Sequence, residues 1–213
     1  MVEPTRIIAI RHGETAWNVD TRIQGHLDIP LSANGRWQAE RLAEALRDEP
    51  ITAIYASDLT RAWETAQYVA QATGAALTKE IGLRERSFGD FEGKTFAEIE
   101  QSLPEQSLRW RTRDPEFSPN GGESLVALRA RVIEAAQRLA ALHPGEQIAL
   151  IGHGGVMDVL YRAATHLDIQ APRTWTLGNT AINRLLWTPD GLSLVGWADT
   201  QHLHSDVLDE AAG

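Results

Sequence analysis

The chain has 213 residues, a formal net charge of −9 and no cysteine. Without a thiol, a disulfide scaffold, a thiolate zinc site, an Fe–S cluster and a cysteine nucleophile are all excluded. The acidic balance argues against a general binder of nucleic acid or anionic membrane, because phosphate backbones select basic faces; a small anionic substrate, which meets only a local pocket, stays open. At 43% apolar and 23% charged residues, the composition is that of a folded globular chain. Its length suits one domain with an elaborated insertion. The N-terminus shows no basic leader ahead of a long apolar run, and no apolar stretch approaches the ~20 residues that span a bilayer, so a soluble cytoplasmic protein with no membrane or nucleic-acid partner is expected.

In chain order, residues 6–10 form a short apolar run that ends at Arg11-His12-Gly13, the pattern of a buried strand entering a glycine-containing loop. Residues 34–47 read as a helix capped by Ser32 or Asn34, with Trp37, Leu42, Ala45 and Leu46 near one face. A second apolar strand, 51–56, follows Pro50 and ends at Ser57-Asp58. Asp58 is placed to cap the next helix, which carries Leu59, Ala62, Ala66, Val69 and Ala70. Residues 81–122 are rich in Gly, Pro, Arg and Glu with only short helical pieces, and long irregular stretches in compact domains tend to be functional; they read as an insertion or lid over the sheet edge. Ser124 opens a long helix with Leu125, Leu128, Val132, Ile133, Ala136 and Leu139 at helical spacing. A third apolar strand, 147–151, runs into Gly152-His153-Gly154-Gly155 and a further helix with Val156, Val159, Leu160 and Ala163. Residues 181–187 and 192–197, joined through Pro189-Asp190-Gly191, read as a hairpin-like strand pair. The tail, 199–213, is expected to be mobile. The alternation predicts an α/β fold: a three-layer α/β/α domain over 1–213 with a mostly parallel central sheet and the C-terminal strand pair.

Two strand ends carry histidine beside glycine, and a third offers Arg61 through Ser57-Asp58-Leu59-Thr60-Arg61. Ligands of open α/β sheets bind outside the carboxyl ends of the strands. If the three strands are neighbours, two histidines and two arginines meet in one crevice and make an anion pocket. Arginine forks match phosphate oxygens, and a neutral imidazole can attack phosphorus. There is no H-E-x-x-H, no P-loop and no Asp-rich metal loop.

The stretch Arg11-His12-Gly13-Glu14-Thr15-Ala16-Trp17-Asn18 resembles the signature of the histidine phosphatase superfamily, the phosphoglycerate-mutase-like proteins. The resemblance continues in family order through Gln24-Gly25, Leu31-Ser32, Ser57-Asp58-Leu59, Arg61-Ala62, Leu83-Arg84-Glu85, Phe88-Gly89, Gly121-Gly122-Glu123-Ser124 and His153-Gly154-Gly155. It implies that His12 becomes phosphorylated and that Arg11, Arg61 and His153 clamp the phosphoryl group. Glu85 then protonates the leaving oxygen and later helps to activate water, while Asn18, Gln24, Gly25 and the Gly154 backbone stand around phosphate and substrate. Glu14, Asp90 and Glu92 are alternatives for the acid. The family reaction needs no metal and no cofactor, because arginines supply the positive charge. Mutases of the family typically carry an additional basic segment after the acid, and the shorter stretch here resembles the phosphatase branch. The expectation is a metal-independent phosphomonoesterase acting on a small phosphorylated metabolite; the alternative is a 2,3-bisphosphoglycerate-dependent phosphoglycerate mutase. The family also admits a homodimer. Arg84 or Arg86 is expected to add positive charge to the pocket. His26 reads as a rim contact or an exposed loop histidine, His143 as a helix C-terminal residue, His202 and His204 as solvated, and Trp110 as a lid wall or part of a solvated basic face.

Overall fold

The computed structural model describes residues 3–204. Six strands form one sheet in the order β3-β2-β4-β1-β5-β6: β1 (Thr5–Arg11), β2 (Ile51–Ala56), β3 (Ala76–Lys79), β4 (Gln147–Gly152), β5 (Ile182–Thr188) and β6 (Gly191–Asp199). The first four in that order run parallel, and β5 and β6 are antiparallel to their neighbours. Apolar residues of the central strands alternate between two cores. Ile7 and Ala9 of β1, with Ile148 and Leu150 of β4, face α6 (Leu125–Ala140) and α7 (Gly154–Thr165). Ile8, Ile10, Ala149 and Ile151 face α2 (Ala33–Leu46) and α3 (Thr60–Thr73). Both faces are covered, which is why these strands read as unbroken apolar runs. Among the described residues no helix is long and apolar enough to cross a membrane.

Several local expectations change. β3 escapes the sequence because it is a four-residue edge strand with mixed polarity, the form in which edges are kept short. On α2 the buried face is Gly35, Ala39, Leu42, Ala43 and Leu46, while Trp37 is 42% exposed and Ala45 is also exposed. Asp58 does not cap α3. It pairs with Arg84 through two 2.6 Å bonds. The first turn of α3 is held instead by Asp28 from a distant loop, whose carboxylate accepts from the Thr60 N–H and hydroxyl at 2.7 Å each. His143 lies beyond the end of α6 and bonds Tyr55 and Glu146. Residues 201–203 form a 3-10 turn whose His202 is half-buried and whose backbone carbonyl accepts from Arg41; 205–213, the rest of the expected mobile tail, lie outside the described residues. Residues 81–122 contain two short helices, α4 (Phe96–Ser102) and α5 (Pro104–Arg111). They close over a small core of Ile23, Phe91, Ile99 and Phe117.

Register brings the three chemistry-bearing strand ends level: Arg11 of β1 stands opposite Gly152 of β4, and Ala56 of β2 opposite Ile151. The loop after β1 then crosses the first turn of α2 at backbone contact. A Cβ on Gly13 would run into the Gly35 carbonyl, and one on Gly35 into the Glu14 carbonyl. Alanine normally strengthens a helix relative to glycine by ~1 kcal/mol, but here it would force two backbones apart. Gly35→Ala is therefore expected to destabilise the fold by about 2 kcal/mol or more in urea unfolding. Gly196→Ala, with open space around its Cβ, should stay within about 0.5 kcal/mol. A neutral or stabilising Gly35→Ala would contradict the close approach.

Candidate active site

His12 leaves β1 with its backbone N–H bonded to the Gly152 carbonyl at 3.0 Å. Its ring Nδ1 lies 2.6 Å from the Gly13 carbonyl oxygen. A carbonyl only accepts, so Nδ1 carries the proton and Nε2 keeps its lone pair. His153 precedes the first turn of α7, with Nε2 at 2.8 Å from the Ser57 hydroxyl oxygen. The two buried imidazoles stand 5.2 Å apart between ring centroids. Burial, reinforced by the Arg61 and Arg11 cations, holds His12 well below the usual histidine range. Burial also holds His153 well below it, with Arg61, His12, Arg11 and His26 adding to the effect. Both rings are neutral at neutral pH.

Arg61, in the first turn of α3, is 1% exposed. Its Nη1 and Nη2 donate to the Leu27 and Gly25 carbonyls at 2.9 and 2.8 Å. Gly25 meets it in the left-handed region, at φ +50°, where a Cβ would strike the Glu92 carboxylate. Burial lowers the Arg61 pKa to about 10, which still leaves a cation. Arg11 donates Nη1 to the Leu177 carbonyl; burial lowers its pKa, opposed by Glu85. Arg11 Nε, Arg61 Nε and His153 Nδ1 are all buried and have no partner among the described residues. Ser57 can donate its hydroxyl to His153 Nε2, which leaves Nδ1 to carry that ring's proton. An unsatisfied buried donor costs ~1–3 kcal/mol, and such groups gather where a ligand supplies the acceptor. Arg11, Arg61 and His153 thus each keep an unpartnered nitrogen and stand in electrostatic range of the His12 ring.

Glu85 follows the 3-10 turn Ile81–Leu83. Both its oxygens lie 3.1 Å from the Gly155 amide nitrogen, and Oε1 also accepts from the Arg86 N–H at 2.7 Å. The carboxyl group thus sits at the N-terminus of α7, facing the cavity. The other candidate acids are occupied elsewhere. Glu92 accepts from the His26 and Phe88 N–H groups, Glu14 from the Ser32 hydroxyl and Asp90 from the Asn120 amide. None of these three lines the cavity. His26 stands behind the acid, its Nε2 donating to the Glu85 carbonyl at 2.8 Å, and so is neither a rim contact nor a free loop residue.

The cavity measures about 950 Å³. Asn18, Gln24, Gly25 and Gly154 line it beside Arg11, His12, Arg61 and Glu85. His153 lies beneath, fully buried. Gln24 Oε1 is buried with no partner among the described residues, and Asn18 Oδ1 caps α1 (Ala16–Val19) through the Thr15 N–H at 3.0 Å. Trp110 lines the cavity, stacked on Phe96 at 4.6 Å. Arg86 lines it too, strapped to the Glu123 and Phe117 carbonyls at 2.7 and 2.9 Å. Arg84 does not reach it, being committed to Asp58. The loop 171–180 was not legible as part of the site. It takes the Arg11 side chain on Leu177, bonds the Arg11 carbonyl through Thr180 N–H at 2.9 Å and the His12 carbonyl through Asn179 at 2.8 Å. Among the described residues no group of three or more His, Asp or Glu is gathered as a metal cage.

A buried, neutral imidazole at the carboxyl ends of a mostly parallel sheet, walled by arginines, makes an anion-binding crevice. The family model described as histidine phosphatase superfamily (branch 1) matches residues 7–200, and the chain belongs to that superfamily. It is 38% identical over 206 residues to "Phosphoglycerate mutase-like protein 4" of Arabidopsis thaliana, covering 95% of this chain and 88% of that protein. It is 34% identical over 220 residues to the "Glucosyl-3-phosphoglycerate phosphatase" of Mycobacterium tuberculosis, covering 95% and 98%. The solved structure of Bacillus stearothermophilus YhfR superposes with a TM-score of 0.88 at 30% identity, covering 94% of this chain and 100% of that one. A phosphatase among the full-length relatives is consistent with a phosphoric monoester hydrolase.

The depressed histidines make a stability prediction. Between their folded pKa values and the ordinary value of 6.5, the unfolded chain binds more protons than the folded one. Their contribution is therefore complete above about pH 6.5 and is lost as the pH falls below it. The Tm of the wild type should drop from pH 7 to pH 5, and His12→Asn should shrink that drop. An unchanged slope in His12→Asn would contradict a neutral buried His12.

Proposed function

We propose that this chain is a phosphomonoesterase that acts on a small phosphorylated metabolite through a phosphohistidine on His12. The observation that carries the reading is the His12 tautomer: the Gly13 carbonyl takes Nδ1–H, so Nε2 presents its lone pair beside Arg11, Arg61 and His153. The substrate phosphoryl group binds those three side chains and the backbone N–H groups that open α7. His12 Nε2 attacks phosphorus; the P–N bond forms as the ester P–O bond breaks, and Glu85 delivers a proton to the departing oxygen. Water then attacks the phosphohistidine and Glu85 takes its proton. The P–N bond breaks, and inorganic phosphate leaves with His12 restored. Arginine supplies the positive charge, and the reaction calls on no metal or cofactor. Residues 81–122 act as the lid that shields the phosphohistidine, with Trp110 as its inner wall.

Purified protein should hydrolyse p-nitrophenyl phosphate in EDTA and be inhibited by vanadate, with His12→Ala lowering turnover by at least ~10³-fold. Glu85→Gln should slow alkyl phosphates by ~10²-fold or more and p-nitrophenyl phosphate far less, since p-nitrophenolate leaves without a proton. Loss of activity on chelation, or full activity in His12→Ala, would overturn the reading. Interconversion of 2- and 3-phosphoglycerate that depends on 2,3-bisphosphoglycerate and outpaces hydrolysis would favour the mutase instead.

A further inference from the structure

The cavity holds more positive charge than a single phosphoryl group requires, and most of it is already engaged. Arg22 pairs with Glu98, Arg111 with Glu100 and Arg113 with Asp158; Arg86 is spent on two carbonyls. Arg173 differs. It lines the same cavity from the loop between α7 and β5, and among the described residues it has no salt bridge and no side-chain hydrogen bond. Its neighbours in charge range include Arg11 and Arg113. Asp158, which lines the same cavity, is bonded to both Arg113 and Arg162 at 2.9 Å. That carboxylate is thus shared by two guanidiniums, and among the described residues no carboxylate is bonded to Arg173.

An exposed loop arginine is ordinarily solvated and mobile. This one rides on an anchored loop. Trp175 is buried against Tyr161 with ring centroids at 4.1 Å, and Arg162 lies over it at 4.7 Å. Three hydrogen bonds, through Leu177, Asn179 and Thr180, tie the loop to Arg11 and His12 themselves. The backbone that positions the nucleophile therefore also sets where Arg173 stands relative to it.

We propose that Arg173 is a substrate-selecting residue that receives a second anionic group, a carboxylate or a second phosphate, on the phosphomonoester whose reacting phosphoryl group lies at His12. The proposal rests on the phosphatase reading and narrows its substrate class to diacids. A guanidinium meets either anion by charge-assisted hydrogen bonds. The second group is held in both ground and transition states, so its loss acts mainly on KM.

The test uses wild type, Arg173→Ala and Arg173→Lys with four esters: p-nitrophenyl phosphate, glycerol 3-phosphate, 3-phosphoglycerate and propane-1,3-diyl bisphosphate. The wild type should prefer at least one of the last two over glycerol 3-phosphate. Arg173→Ala should cut kcat/KM for that diacid by about tenfold or more through KM, while p-nitrophenyl phosphate and glycerol 3-phosphate stay within about twofold. Arg173→Lys should recover part of the loss. Which diacid responds tells a carboxylate from a phosphate. Equal effects on all esters, or none, would overturn the proposal while p-nitrophenyl phosphate turnover leaves the phosphatase reading standing. Absence of turnover of every ester by the wild type would overturn both.

Discussion

Two guanidiniums, Arg11 and Arg61, are held in charge range of two buried imidazoles, and the rest of the site depends on that repulsion. Protonating either ring would place a third cation in a desolvated space. Burial and the arginines therefore act in the same direction on His12 and His153, and His12 keeps a free ring lone pair without an added base. The same cations are what a phosphoryl group seeks. In the proposed reaction, the cations that help to keep His12 neutral in the free protein also stabilise the charge on the phosphoryl oxygens in the transition state. In that proposed reaction an arriving dianion relieves the repulsion and partners the nitrogens of Arg11, Arg61 and His153 that have no partner among the described residues.

Such a cluster persists only if the surrounding structure leaves it no escape. Arg61 is tied to two loop carbonyls, Arg11 to the Leu177 carbonyl and His12 to its own neighbouring carbonyl. Each of these partners is backbone, so the arginine charges are oriented without being neutralised by carboxylates. The sheet does the larger positioning. Parallel register sets Arg11 of β1 opposite Gly152 of β4 and Ala56 of β2 opposite Ile151, and the glycines after β1 and at the start of α2 let two backbones touch. Glu85 arrives from outside this frame. Its carboxyl group is fastened to the Gly155 N–H, and a Cβ on Gly155 would occupy the place of that carboxyl group.

The parts of the fold legible in the sequence are those under strong local or two-sided constraint. β1, β2 and β4 are covered on both faces and read as apolar runs, and α6 announces itself with Ser124 as cap and a clear stripe. Arg11, His12 and His153 were visible because they sit at strand ends beside glycine, and Arg61 because it stands in the first turn of the helix that follows the strand end at Ser57. The resemblance of their motifs to one family added roles that spacing alone does not contain. What stayed hidden depends on partners distant in sequence. Asp58 looked like the cap of α3 by position, but a bidentate arginine is a stronger partner than a helix N-terminus, and Asp28 fills the vacated role. Trp37 fell on the predicted apolar face yet points outward, because the contact with Glu14 at Gly35 fixes the rotation of α2. The loop 171–180 carries no periodicity, and its hydrogen bonds to Arg11 and His12 span more than 160 residues.

The account stands on His12 Nε2 forming a bond to phosphorus. Rapid quenching of the wild type during turnover of a small phosphomonoester, followed by peptide mass analysis under alkaline conditions, tests this directly. The account predicts a phosphoryl mass shift on the peptide containing His12, stable in base, lost in acid and formed at a rate no slower than turnover. Turnover with no phosphoenzyme, together with inversion at a chiral phosphorus, or label on any other residue, would contradict it.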